Sequence, residues 1–137
     1  MVLNAKCAWL GCSPDHKVYD LDAVNSAKNL FGLLEVKVVK EGKTTFNNVR
    51  YLVKDPVTSA YTLRTTDIYY YHQVQSLLGL TGLEWFHFLS YMNDNLYVCQ
   101  RIMLDQAFFQ ETKDKVGIFF LPILFVLINI LIFSEYS

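Results

Sequence analysis

Cysteine is scarce. Cys7, Cys12 and Cys99 are the only three in the chain, with no CxxC pair and no histidine at ligand spacing. That pattern excludes a disulfide framework and a structural zinc site. Cys7 and Cys12 flank an apolar stretch and read as small buried residues of a reducing compartment. Charge is sparse too: 18% of residues are charged and the formal net charge is −1, so no global field advertises a polyanionic partner. There are no internal repeats or low-complexity segments, and the apolar stretch at the N-terminus is too short for a signal peptide.

What is present suits a packed domain. The 137 residues are 53% hydrophobic and 15% aromatic, enough for one core and no more. The few charges are unevenly placed. Lys28, Lys37, Lys40, Lys43, Arg50, Lys54 and Arg64 outnumber Glu35, Glu41 and Asp55 between residues 28 and 64, whereas acids outnumber bases from 65 onward. This fits a polyanion-facing side and a solvated back, and it fits equally well exposed lysines on a β-meander.

The most informative run is Leu33-Leu34-Glu35-Val36-Lys37-Val38-Val39. In a strand, Glu35 and Lys37 share one face, and Leu34, Val36 and Val38 are expected to point the other way, into a core. An acid and a base on a strand of this kind are costly unless paired or used. Asp15 follows a Ser13-Pro14 turn upstream and adds a second carboxylate. The expectation from these residues is a divalent-metal site for phosphodiester cleavage. Taken singly, each has a plainer reading: Asp15 as a turn residue, Glu35 and Lys37 as an unused ion pair.

Along the chain, Cys7–Cys12 reads as a short strand, with 17–19 as its return in a small hairpin and 20–29 as a loop. The clearest strand covers 31–40. Glu41-Gly42-Lys43 is a turn, and 48–54 is another strand, with Arg50, Leu52 and Lys54 on one face. Asp67 caps a helix over 68–80 that ends near Gly79 or Gly82. Tyr70 and Gln73 share a face of this helix, whereas Gln75 lies on a different side. The runs 85–91 and 96–103 around Met92-Asn93-Asp94-Asn95 form a hairpin, and Asp105 caps a last helix reaching about Phe120. Strands, helix, hairpin, helix describe a single α/β domain.

Three segments in this order carry a resemblance: Trp9 to Asp15, then Gly32 to Lys37, then Tyr70-Tyr71-His72-Gln73-Val74-Gln75. Gly82-Leu83-Glu84-Trp85-Phe86-His87-Phe88, Arg101 to Asp105 and Leu121-Pro122 follow at matching intervals. Together they resemble the YqaJ-like viral recombinase family, relatives of lambda exonuclease within the PD-(D/E)XK nuclease superfamily, over about residues 7–124. The resemblance implies a restriction-endonuclease-like mixed sheet flanked by helices. It implies Asp15 and Glu35 as metal-binding carboxylates, with the Val36 backbone carbonyl as a third oxygen ligand for Mg²⁺ or Mn²⁺. Lys37 would orient the attacking water and stabilise phosphoryl charge, and Gln73 would complete the catalytic set. Tyr70, Gln75, Lys40 and Lys43 would be accessory, DNA-facing residues. DNA is the implied substrate, a single-strand annealing protein an implied partner, and a homo-oligomer such as a trimer is conceivable. An intracellular location is implied, the nucleus in a eukaryote.

The chain departs from the family pattern in places. His16 stands where the family usually has glycine, and Val38-Val39 where it has Cys-Pro. A glutamate-bearing helix expected ahead of the first strand is missing, which implies that the N-terminal helical part is lacking and that 1–124 is the C-terminal portion of such a nuclease. Residues 125–137 form an apolar tail outside the resemblance, expected from a truncated or mispredicted gene model. Two other readings stay open: a degenerate nuclease fold that binds DNA or protein without cleaving, and a small membrane protein anchored by Val116–Phe133. The latter run carries no charge, but Pro122 and Asn129 interrupt it and no basic cluster follows.

Overall fold

In the computed structural model the described residues are 2–4, 7–12, 14–22, 30–40 and 43–117. They fall in two compact units, 1–104 and 105–137. The first unit holds β1 (Val2–Asn4), β2 (Cys7–Cys12), β3 (His16–Tyr19), β4 (Phe31–Val38), β5 (Leu52–Lys54), β6 (Tyr61–Leu63), α1 (Tyr70–Thr81), β7 (Trp85–Asn93) and β8 (Leu96–Met103), with a 3₁₀ turn at Phe46–Asn48. In the second, a helix, α2, spans 106–117, and Asp105 Oδ1 accepts the Phe108 amide at 2.9 Å as an N-terminal cap. The expected extension of α2 to Phe120 and the apolar tail lie outside the described residues. Among the described residues no helix is long and apolar enough to cross a membrane.

The organising element is a four-stranded mixed sheet in the order β3-β4-β7-β8. β4 runs antiparallel to β3 and parallel to β7, and β7 and β8 form the expected hairpin. The parallel pair needs a crossover, and α1 supplies it. β1 pairs with β2, and β5 with β6, in two small separate sheets. The anticipated hairpin between β2 and 17–19 is therefore corrected: β3 pairs with β4, and β2 with β1. The short β3 finds its best partner in the long apolar β4, where Tyr19 and Phe31 meet edge to face at 5.2 Å.

Capping chemistry sets the ends of α1. Asp67 Oδ1 accepts the amides of Tyr69 and Tyr70 at 3.0 and 2.7 Å, so the helix begins at Tyr70, slightly later than the sequence pattern suggested. At the other end Gly82 takes the left-handed conformation, φ 72°, that a helix stop favours.

The register decides which face of the sheet is buried. Leu33, Glu35 and Lys37 stand opposite Phe86, Phe88 and Ser90, and these in turn stand opposite Ile102, Gln100 and Val98. Leu33, Glu35, Phe86, Phe88 and Ser90 are all buried. α1 crosses this face, and the β5–β6 hairpin covers its other end, where the Leu63 amide donates to Gln100 Oε1 at 2.6 Å. Phe46, Val49 and Leu52 complete a core there with Val39.

The opposite face carries Val36 and Val38, 42% and 72% exposed. The expectation that these valines enter the core is thus reversed, and the charged pair occupies the covered side. Toward the start of β4 this face is covered, where the Trp85 indole lies across Gly32. A Cβ on Gly32 would come within 2.2 Å of that ring, so only glycine fits there without a shift.

Candidate functional site

Glu35 and Lys37 meet on the covered face of β4. Their side chains form an ion pair, with Glu35 almost fully buried and the Lys37 side chain 26% exposed. Gln73, on the exposed edge of α1, donates its amide to the same Glu35 oxygen, Oε1, at 3.4 Å. This long contact orients the carboxylate more than it stabilises it. Lys37 Nζ also lies 4.8 Å from the centroid of the Tyr70 ring, within cation–π range. Three of the anticipated residues, Glu35, Lys37 and Gln73, are therefore in one cluster, with Tyr70 as its wall.

Asp15 approaches from β3. The pairs His16↔Leu34 and Lys17↔Leu33, continued by one position, set Asp15 opposite Glu35 and on the same face of the sheet. Its side chain is exposed. β3 pairs only with residues 31–34 of β4, so beyond Leu34 one edge of β4 has no strand neighbour among the described residues. The Val39 amide donates to the Tyr91 carbonyl of β7 at 2.8 Å. Backbone groups alternate sides along a strand, so the Val36 carbonyl faces away from β7, toward the edge that β3 leaves open. Continued register thus sets Asp15 next to Glu35 at the corner of the sheet that the Val36 carbonyl faces.

Gln75 belongs elsewhere, which corrects its anticipated DNA-facing role. It is 1% exposed and donates to the Met103 carbonyl at 3.0 Å, tying α1 to the end of β8. Lys40 and Lys43 are exposed, and Lys43 donates to the Asn48 carbonyl.

Several residues at the site had no role in the sequence reading. Tyr51 packs edge-on against Tyr70 at 4.8 Å and reaches Phe88 at 5.9 Å. Burial pushes its phenol above the ordinary tyrosine range, and the Ser90 hydroxyl and the Lys37 charge only partly offset this. Ser90 is fully buried opposite Lys37. It lies near enough to affect the Tyr51 phenol, but its hydroxyl completes no hydrogen bond among the described residues. Tyr51 follows the 3₁₀ turn, and Ser90 looks in sequence like any inward strand residue. Only the fold brings them to Lys37.

Beside this cluster opens a cleft of about 510 Å³ whose walls include Lys37, Lys40, Lys43, Arg50, Tyr69 and Tyr70. Among the described residues Asp67 is the one acid in its lining, and that side chain is occupied capping α1. The volume is that of a small-ligand pocket.

An all-oxygen corner of this kind suits a hard divalent cation that keeps several of its waters, as Mg²⁺ does. Among the described residues no group of three or more His, Cys, Asp or Glu side chains could hold a metal. A cation here would rest on two carboxylates, a carbonyl and water. Comparison with family models, curated proteins and solved structures returned no match for the chain.

Proposed function

We propose that the chain is a metal-dependent DNA nuclease domain of the PD-(D/E)XK type, with a restriction-endonuclease-like sheet. The observation that carries this reading is the shared face of Glu35, Lys37 and, by continued register, Asp15, on a strand whose open edge presents the Val36 carbonyl. The topology supports it: the acid–base strand lies between an antiparallel and a parallel neighbour, with the crossover helix bringing Gln73 over the site. Mg²⁺ or Mn²⁺, when bound, would polarise the scissile phosphate and acidify a water. Asp15 and Glu35 would hold the cation. Lys37 would orient the nucleophile and counter charge on the phosphoryl oxygens, and Gln73 would hold the Glu35 carboxylate in place. The Tyr51–Tyr70–Phe88 cluster would exclude water from one side of Lys37.

The test is digestion of linear duplex DNA by the full chain in Mg²⁺ or Mn²⁺. Glu35→Gln and Lys37→Ala are each expected to slow digestion about a hundredfold or more. Digestion that survives both changes removes the assignment. The completed ion pair between Glu35 and Lys37 supports a second reading, a nuclease-like fold that binds DNA without cutting it. DNA binding with no cleavage in either metal would favour that reading.

A further inference from the structure

We infer that the cleft beside Lys37 is a subsite for one unpaired nucleotide of a DNA strand, its base stacked on Tyr69 and its phosphates held by Lys40, Lys43 and Arg50. The inference rests on the nuclease reading only for what lies next door, a scissile phosphate at Lys37. The binding surface itself stands on separate residues.

Tyr69 precedes α1 and is 62% exposed. Its backbone amide is fixed by Asp67, so the ring is presented at the cleft wall from an anchored backbone rather than from a free loop. The Arg50 guanidinium lies 5.6 Å from the ring centroid, at the outer limit of a cation–π contact. The ring is not tightly covered, and a base inserted there gains an aromatic and a guanidinium plane together. Among the described residues neither Arg50 nor Lys40 is in an ion pair. The acid in the wall, Asp67, is committed to backbone amides. Among the described residues, then, the cleft offers Arg50 and Lys40 outside any ion pair and a single lining carboxylate that is already engaged, a combination that suits a phosphodiester strand. A base within a duplex is already stacked and shielded by its partner strand, so a ring at a cleft wall selects an unpaired nucleotide.

The experiment reads binding without chemistry. Fluorescence anisotropy of a short fluorescein-labelled oligothymidylate is measured with the full chain in excess chelator, beside an abasic oligonucleotide of equal length and charge. Oligothymidylate is expected to bind about tenfold more tightly than the abasic strand. Tyr69→Ala is expected to erase that difference and leave abasic binding unchanged, whereas Tyr69→Phe keeps it. Because Tyr69 is exposed, neither change disturbs the core. Equal binding of the two oligonucleotides by the unaltered protein overturns the inference, as does an undiminished preference in Tyr69→Ala or no binding of either strand. The result separates from the nuclease test. A base preference with no digestion in any metal keeps the subsite and removes the nuclease, and digestion with no base preference does the reverse.

Discussion

The two faces of the four-stranded sheet are opposite in a way their residues do not advertise. One face bears the charges, Glu35 and Lys37, and is roofed by α1 and the β5–β6 hairpin. The other bears Val36 and Val38 and is largely open over β4. Burial here follows the aromatic and aliphatic partners that the register sets beside the charges, Phe86, Phe88 and Leu33. A buried carboxylate is tolerated because Lys37 pairs with it, with Gln73 holding its orientation. An ion pair can thus sit on the core side of a sheet while apolar side chains of the same strand face outward.

Substitutions on the two faces should sharpen the contrast. The largest effect is expected at Phe88, fully buried beneath Tyr51 and Tyr70. Phe88→Ala should cost about 3–5 kcal/mol in urea unfolding, and a loss below 1 kcal/mol would show that this face is not the core.

Next comes Gly32, at the closed end of the other face. Gly32→Ala drives a methyl into the Trp85 ring and should cost about 1–3 kcal/mol; an unchanged urea midpoint would mean that the indole does not rest there.

A smaller effect is expected from His87, which accepts Arg101 Nε at 2.9 Å. Burial first, and then the Arg101 charge, hold its pKa below the ordinary histidine value, against a weaker opposing pull from Asp20. The unfolded chain therefore binds a proton at higher pH than the folded one. Stability should be full above the ordinary histidine pKa of about 6.5 and decline as pH falls through it toward the depressed folded value. His87→Gln should flatten that part of the curve of urea midpoint against pH, and an unaltered slope would remove His87 as its source.

The smallest effect is expected at Val38. Val38→Thr, on the open face, should shift stability by no more than about 0.5 kcal/mol. A loss near that of Phe88→Ala would mean that both faces are cores.

How much of this was legible in the sequence depends on the kind of information each part needs. β4, the β7–β8 hairpin and α1 were readable because their signals are local: an apolar β-branched run, Asn-Asp at a turn, Asp67 three residues before the first helical turn. The neighbourhood of Glu35, Lys37 and Gln73 was readable through an ordered set of motifs. The choice of buried face was not, because strand alternation separates two faces without saying which one meets a helix. The β3 partner was misjudged for a related reason. A short strand pairs with whatever long edge the fold presents, and proximity in sequence favoured β2. Tyr51 and Ser90 went unnoticed because nothing near them in the chain signals a site.

The parallel pairing of β4 with β7 carries one more consequence. Glu35 finds its register neighbour, Phe88, only after the whole of β5, β6 and α1 has been traversed. Contacts so distant in sequence form late, since the loop between them must close before they return any free energy. The Glu35–Lys37 pair should then acquire its shelter near the end of folding, and a nascent chain still lacking β7 would carry its acid and base exposed to water. The covered ion pair is then a feature that appears abruptly on completion of the sheet and does not build up strand by strand.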